Sequence, residues 1–267
     1  MRLRTALLLA LVAAVALFAF QRWQGTGPER FGMLEQHCGA DGKPVTGQGE
    51  DDWAERCIFS EDNARILASG ERPEVVMIGD SLTYEWPDPG KGIVKRGIGG
   101  QTSPQVVLRF QQDVIALKPR IVHILVGTND IAGNTGASAP QQYLDNIRAM
   151  IAMAQANGIA VVIGTIPPLE GLESRPTIET RPWPERLNRE LRKLADQRGI
   201  VIADYHAALA NPDGSRRDDL FRDELHFSAA GYERIDEVFR AALDRGRKVS
   251  APVSPASAGA APAGGDS

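Results

Sequence analysis

Short apolar runs alternate with amphipathic stretches along most of the chain. Glu74-Val75-Val76-Met77-Ile78-Gly79 is apolar almost throughout and ends in glycine, so it reads as a buried strand. Ile93 to Ile98 reads as a weaker strand, and Ile121 to Val126, Ala160 to Gly164 and Ile200 to Ala203 read as three more. Val107, Phe110, Val114 and Leu117 form a helical stripe, with Ser103 as N-cap, Pro104 in the first turn and Pro119 as the stop. Leu144, Ile147, Ile151 and Ala154 form a second stripe that ends at Gly158. Glu185 to Gln197 reads as a helix, and Ser228 caps a last one carrying Ile235, Val238, Phe239 and Ala242. Apolar strands of about five residues, separated by amphipathic helices, imply a parallel sheet covered on both faces. Right-handed crossovers make the expected fold an α/β protein, a doubly wound three-layer α/β/α sandwich. Ligands of such sheets bind beyond the carboxyl ends of the strands, which is where chemistry is to be sought.

The two ends break the pattern. Arg2 and Arg4 precede an uncharged apolar run from Thr5 to Phe20, which at 16 residues is short for a membrane span. A basic start followed by an apolar middle predicts a signal peptide or an N-terminal membrane anchor over residues 1–23. The cleavage site is poor, because Ala14-Val15-Ala16 lies inside the run. Either outcome predicts export: to the periplasm, to the periplasmic face of the inner membrane through a tether, or into the medium. No Cys follows the run closely, so a lipoprotein anchor is unsupported. Residues 248–267 are mostly Ala, Pro, Gly and Ser, and too poor in large apolar residues to offset their ordering entropy. Residues 24–72 read as an irregular lead-in. It holds the only two cysteines, Cys38 and Cys57, as a disulfide or as two unpaired thiols. A bridge there, in an oxidising compartment, would contribute about 3 kcal/mol through loop entropy. Residues 73–247 remain as one folded domain.

Composition narrows the function. Of 267 residues, 43% are hydrophobic and 24% charged, enough for a sizeable core. The 30 basic and 34 acidic side chains leave a net charge of −4, without the positive field that nucleic-acid binding needs. Two cysteines are too few for a cysteine-only zinc site.

Polar residues cluster where strands end. Gly79-Asp80-Ser81-Leu82 puts a serine at the first such end, as a nucleophile or a helix N-cap. In Gly97-Ile98-Gly99-Gly100-Gln101-Thr102, glycines let a backbone N–H approach a ligand. Ser103 stands where a dinucleotide fingerprint needs another glycine, and no Lys-Ser or Lys-Thr pair is present, which disfavours nucleotide binding. Gly127-Thr128-Asn129-Asp130 offers a side-chain amide to a developing oxyanion, or an ordinary turn. In Asp223-Glu224-Leu225-His226 the carboxylate can reach the imidazole and fix its tautomer. As a metal site this pair has too few partners, so no metal and no cofactor is expected.

Taken together, Gly-Asp-Ser-Leu, Gly-Gly-x-Thr, Gly-x-Asn-Asp and Asp-x-x-His resemble the four blocks of the SGNH or GDSL hydrolases, over about Glu74 to Arg245. The resemblance implies a flavodoxin-like sandwich with strand order 2-1-3-4-5. It implies that Ser81 attacks, that His226 serves as base and then acid, and that Asp223 orients His226. The N–H groups of Ser81 and Gly100 and the side-chain amide of Asn129 would hold the oxyanion, with Gly100 preferred to Gly99 for its place directly before Gln101-Thr102. The Gly-x-Ser-x-Gly elbow of the α/β-hydrolases is absent, since Thr83 replaces the second glycine. The implied function is a serine esterase acting on a small acyl ester, either lipid or acetylated glycan. Alternatives are an O-acyltransferase to a sugar hydroxyl and a non-catalytic binding module on the same fold. Other polar and aromatic residues read more plainly. His123 is expected in the core, and Asp80 orders its turn. Asp204 and His206 rank behind Asp223 and His226. Trp86 walls the acyl pocket or covers the core, and the segment Pro167 to Pro184, with Trp183, is a candidate substrate wall.

Overall fold

The structure is a computed structural model, and it describes residues 38–39, 41–44, 52–172 and 176–249. The apolar N-terminal run and residues 250–267 of the Ala/Pro/Gly/Ser tail lie outside the described residues, while 248–249 end a helix. Among the described residues, no helix is long and apolar enough to cross a membrane.

Five parallel strands form the sheet: β1 (Val75–Gly79), β2 (Ile93–Gly97), β3 (Ile121–Leu125), β4 (Ala160–Gly164) and β5 (Val201–Ala203). Their order is β2-β1-β3-β4-β5, as the resemblance implied. Alternate side chains of each strand enter two cores. Val76, Ile78, Val122, Ile124, Val161 and Ile163 face one, and Val75, Met77, Ile121, Leu125, Val162 and Val201 face the other. A strand buried on both faces reads as an unbroken apolar run rather than an alternation. The edge strand β2 is only half buried over Ile93–Lys95, which is why it reads as weak.

On the first face lie three helices: α3 (Ser103–Phe110), continued by a π-helical turn at Gln111–Ile115, α5 (Pro140–Ala156) and α6 (Pro182–Arg198). On the second lies α8 (Ala229–Val249), whose Ile235, Phe239, Ala242 and Leu243 are fully buried. Burial of Ile235, Phe239 and Leu243 contributes about 1.5–3 kcal/mol each relative to exposure. Ser228 caps α8 as expected, its hydroxyl accepting from the Gly231 N–H at 3.2 Å. Three one-turn helices sit at the carboxyl ends of strands: α2 (Ser81–Tyr84), α4 (Thr128–Ala132) and α7 (Tyr205–Leu209).

Three expectations need correction. The N-cap of α3 is Thr102, not Ser103, and the Thr102 N–H donates to the Gln105 side-chain carbonyl at 3.0 Å. Ser103 is instead drawn to Asp130, with its hydroxyl at 2.5 Å and its N–H at 2.9 Å from that carboxylate. The fully buried valine of that stripe is Val106, while Val107 is only partly covered. Finally, the lead-in is not irregular throughout: α1 spans Ser60–Ser69 and ends on Gly70 at φ 71°. Only Asn63 of that helix is buried, so it shows no apolar stripe.

The lead-in is also bonded to the sheet-bearing part of the chain through Asn63. A disulfide joins Cys38 to Cys57, with the Cα atoms 5.2 Å apart. Asp52 accepts from the N–H groups of Arg56 and Cys57, both at 2.9 Å. Asn63 donates to Asp113 at 2.7 Å and accepts from Arg96 at 2.8 Å, both across long sequence separations.

Candidate active site

The end of β1 determines where Ser81 points. A Cβ on Gly79 would lie 2.0 Å from the Leu125 carbonyl oxygen, so only glycine lets β1 run this close to β3. Gly97 is as constrained, since a Cβ there would meet the Tyr84 nitrogen at 2.2 Å. The turn carrying Ser81 is thus packed onto β2. Asp80, not Ser81, is the N-cap of α2, and its carboxylate accepts from the Leu82 N–H at 3.0 Å. That leaves the Ser81 hydroxyl for another partner. Burial pushes the Asp80 carboxyl up to about 7, and the neighbouring charge of Asp130 adds to the effect.

The partner of Ser81 arrives from a hairpin 145 residues away in sequence. Phe221 and Phe227 form an antiparallel bridge, their rings 5.3 Å apart, and the Arg222 N–H donates to the His226 carbonyl at 2.9 Å. Inside this hairpin, Asp223 Oδ1 accepts from the N–H groups of Leu225 at 2.8 Å and His226 at 2.7 Å. Both oxygens of Asp223 face His226 Nδ1, at 3.1 and 3.0 Å. A carboxylate can only accept there, which assigns the proton to Nδ1 and leaves Nε2 as acceptor. Nε2 lies 3.1 Å from Ser81 Oγ. Partial burial raises the Asp223 carboxyl, but the bonds from the His226 and Leu225 backbones and the imidazole outweigh it and hold the group at about 2. Arg216 braces the hairpin from below. It donates to the carbonyls of Asp223 at 3.2 Å and Glu224 at 2.8 Å, and its guanidinium lies 4.8 Å from the Phe221 ring.

Gly100 and Asn129 occupy the adjoining strand ends. Gly100 follows β2 at φ 76°, a conformation that favours glycine, and Asn129 lies in α4. The Asn129 amide donates to the Gln101 carbonyl at 3.0 Å. An amide nitrogen carries two hydrogens, so one remains for a ligand. Asn134 donates to Asn129 Oδ1 at 2.9 Å and to the Gly100 carbonyl at 3.0 Å. Beneath them, fully buried Arg109 donates to Gln101 Oε1 at 2.7 Å, to the Gly79 carbonyl at 2.8 Å and to Asp113 at 2.9 Å. Asn134 and Arg109 escaped the reading of the sequence. Arg109 sits inside an apolar stripe, and Asn134 lies in a Gly-Asn-Thr-Gly stretch that reads as a turn.

The remaining candidates have structural partners. His123 is fully buried, its Nε2 is 2.8 Å from the Tyr205 hydroxyl, and burial pushes its pKa down to about 3. Trp86 covers the core: its ring lies 5.2 Å from Phe239 and 6.0 Å from His123. Asp204 caps α7 and pairs with Arg192 at 2.9 Å. Trp183 lines an apolar cavity of about 350 Å³ with Ile131, Tyr143, Ile178 and Leu187. A more polar cleft of about 670 Å³ opens beside His226, lined by Arg216, Phe221, Arg222 and Asp223 to His226. Among the described residues, no group of three or more His, Cys, Asp or Glu is placed to hold a metal ion.

Known proteins resemble this chain in sequence and in fold. The chain is 30% identical to a solved GDSL-like lipase from Bacteroides thetaiotaomicron, covering 72% of this chain and 98% of that one, with a TM-score of 0.67. It is 26% identical over 134 residues to an acetylxylan esterase of Geobacillus stearothermophilus, 48% of this chain and 60% of that protein. It is 39% identical over 83 residues to the uncharacterized lipoprotein YqeF of Bacillus subtilis, 30% of this chain and 34% of that one. The chain thus spans less than two-thirds of the length of these two curated relatives. Residues 77–234 match the model of the GDSL-like lipase/acylhydrolase family, and the chain belongs to that family.

Proposed function

We propose that Ser81, His226 and Asp223 act as a catalytic triad that hydrolyses acyl esters. The observation that carries this reading is the hydrogen-bonded line from Ser81 Oγ to His226 Nε2 at 3.1 Å and from His226 Nδ1 to Asp223 at 3.0 Å. The Ser81 hydroxyl is a weak nucleophile until its proton passes to Nε2. Its oxygen then bonds to the ester carbonyl carbon, and the carbonyl π pair moves onto oxygen. The N–H groups of Ser81 and Gly100 and the second amide hydrogen of Asn129 stabilise that oxyanion, each donor contributing about 3 kcal/mol. The imidazolium returns its proton to the leaving alcohol, which departs with the broken C–O pair. Water then repeats the sequence on the acyl-enzyme and releases the acid and Ser81. Ionised Asp223 keeps Nδ1 protonated and stabilises the imidazolium throughout.

Turnover of p-nitrophenyl acetate tests the reading. Ser81→Ala is expected to lower kcat by about 10⁴-fold or more, with an unchanged thermal melt. Turnover that survives this substitution rejects the nucleophile.

The polar cleft beside His226, and the likeness to an acetylxylan esterase, favour an O-acetyl group on a carbohydrate as the substrate class. The apolar cavity beyond Asp130 favours a longer acyl chain as the second reading. A substrate series from acetyl to palmitoyl separates the two: peak activity on acetyl supports the first, and a rise with length the second. Product analysis with a sugar acceptor distinguishes hydrolysis from acyl transfer. Export is proposed on three grounds: the basic and apolar start at Arg2 to Phe20, the Cys38–Cys57 disulfide and the likeness to a lipoprotein.

A further inference from the structure

We infer that Asn134 is a positioning residue for the esterase reaction: it locks the two oxyanion donors, Gly100 and Asn129, into one unit. The inference rests on the proposed triad reading and extends it to a residue outside the four sequence blocks.

The geometry is a closed ring of bonds. The Asn134 amide nitrogen gives one bond to the Gly100 carbonyl and one to Asn129 Oδ1. Asn129 in turn donates to the Gln101 carbonyl, on the peptide next to Gly100. The Asn134 backbone N–H donates to the Asn129 carbonyl at 3.1 Å, which ties the same two residues a second time. The next residues repeat the contact, with the hydroxyls of Thr135 and Thr102 2.9 Å apart. Gly133, at φ 69°, ends α4 and turns the chain back across the Gly100–Thr102 segment.

The chemistry of the ring needs asparagine. Only an amide places two N–H donors on one planar nitrogen at this reach; serine has one donor, aspartate none, and glutamine is a methylene too long. Asn134 presents a donor to Asn129 Oδ1, and Gln101 presents an acceptor to Asn129 Nδ2, so the Asn129 amide has one orientation that satisfies both. Donation into Oδ1 also polarises the amide and strengthens its remaining N–H as a donor to an oxyanion. Gly100 occupies a left-handed conformation in a solvent-exposed turn, and its carbonyl is pinned by the same side chain. An oxyanion hole acts through donors already aimed where charge develops, so a turn that wanders loses rate rather than substrate affinity.

Asn134 is itself exposed, so its replacement leaves both cores intact. The test uses the full chain with Asn134→Ala, Asn134→Asp, Asn129→Ala and the Asn134→Ala/Asn129→Ala double variant. In the wild-type background, Asn134→Ala is expected to lower kcat by about tenfold to a hundredfold with KM changed less than about twofold. Affinity for a boronic acid that forms the tetrahedral serine adduct falls by a similar factor. Asn134→Asp, which removes both donors and adds a negative charge beside the oxyanion, loses more. In the Asn129→Ala background the further loss from Asn134→Ala shrinks to about threefold or less. Losses that multiply, a change confined to KM, or full activity in Asn134→Ala would each overturn the inference. Amide NMR supplies a readout independent of turnover. Asn134→Ala should move the Gly100 N–H and the Asn129 side-chain amide signals while leaving the Ser81 and His226 signals in place. Unmoved Gly100 and Asn129 signals overturn the ring, whereas a wild-type chain without esterase activity overturns only the triad reading.

Discussion

The two sides of the site are held in opposite surroundings. The side of the proposed nucleophile and of the Asn129 amide rests on buried polar groups: the side chains of Arg109 and Asp113 are 0% and 1% exposed, and Asn129 is buried. The side of the proposed base is a partly exposed hairpin, with the Asp223 side chain 42% and the His226 side chain 24% exposed. Buried polar groups carry the full cost of any lost partner, so that side tolerates little and is bound to the stability of the fold. The hairpin is held by the Phe221–Phe227 bridge, by an acceptor oxygen at position 223 that takes two backbone N–H groups, and by Arg216, while ion pairs at its surface, such as Arg222 with Asp223, contribute little. Chemistry and stability are therefore separable on the hairpin and coupled beneath Ser81.

Replacing a group on each side exposes the contrast. Asp223→Asn is expected to give the largest change. An amide at that place no longer enforces the proton on Nδ1, so kcat should fall by about 10²- to 10⁴-fold while urea unfolding barely moves. An equal loss of stability would contradict the separation. Arg109→Met comes next. It strips the fixed donor from Gln101, the Gly79 carbonyl and Asp113, and leaves a buried carboxylate without its cation. Such a loss costs about 3–5 kcal/mol, read by urea unfolding, and kcat should drop with it. Asp80→Asn is the smallest. The folded-state pKa of Asp80 is raised from 3.8 to about 7, so between those values the folded chain binds the proton more tightly than the unfolded one. Its contribution is therefore present in acid and lost as pH rises towards 7, by about 1.4 kcal/mol per pH unit at most. Asparagine can keep the bond from Leu82 and abolish that slope. The variant should gain stability over wild type at pH 7.5 compared with pH 5. Asp130 pulls in the same direction and buried His123 in the opposite one, and comparing variant with wild type at each pH isolates Asp80. A gain in acid instead would show that Asp80 is not held neutral by burial.

Much of this was legible in the sequence because it is local or periodic. Strands buried on both faces write themselves as unbroken apolar runs, three motifs at strand ends mark Ser81, Gly100 and Asn129, and a fourth before the last helix marks the Asp223–His226 pair. What escaped is polar and long-range. Arg109 meets the Gly79 carbonyl 30 positions away, and Asn63 meets Asp113 across 50. No window of sequence contains both partners. Thr102 and Ser103 are both competent caps, and Asp130, 27 residues further on, decides between them by taking Ser103. Helix α1 shows no stripe because its one buried side chain is an asparagine. Trp86 could be read as pocket wall or core, and only its four aromatic neighbours settle it as core.

Activation of Ser81 by His226 is read most simply by covalent labelling. The full chain is treated with a fluorophosphonate and the adduct located by peptide mass mapping. One adduct is expected, on Ser81, absent in Ser81→Ala and formed far more slowly in His226→Ala. No adduct on the folded protein, or an adduct on a different serine, would contradict it.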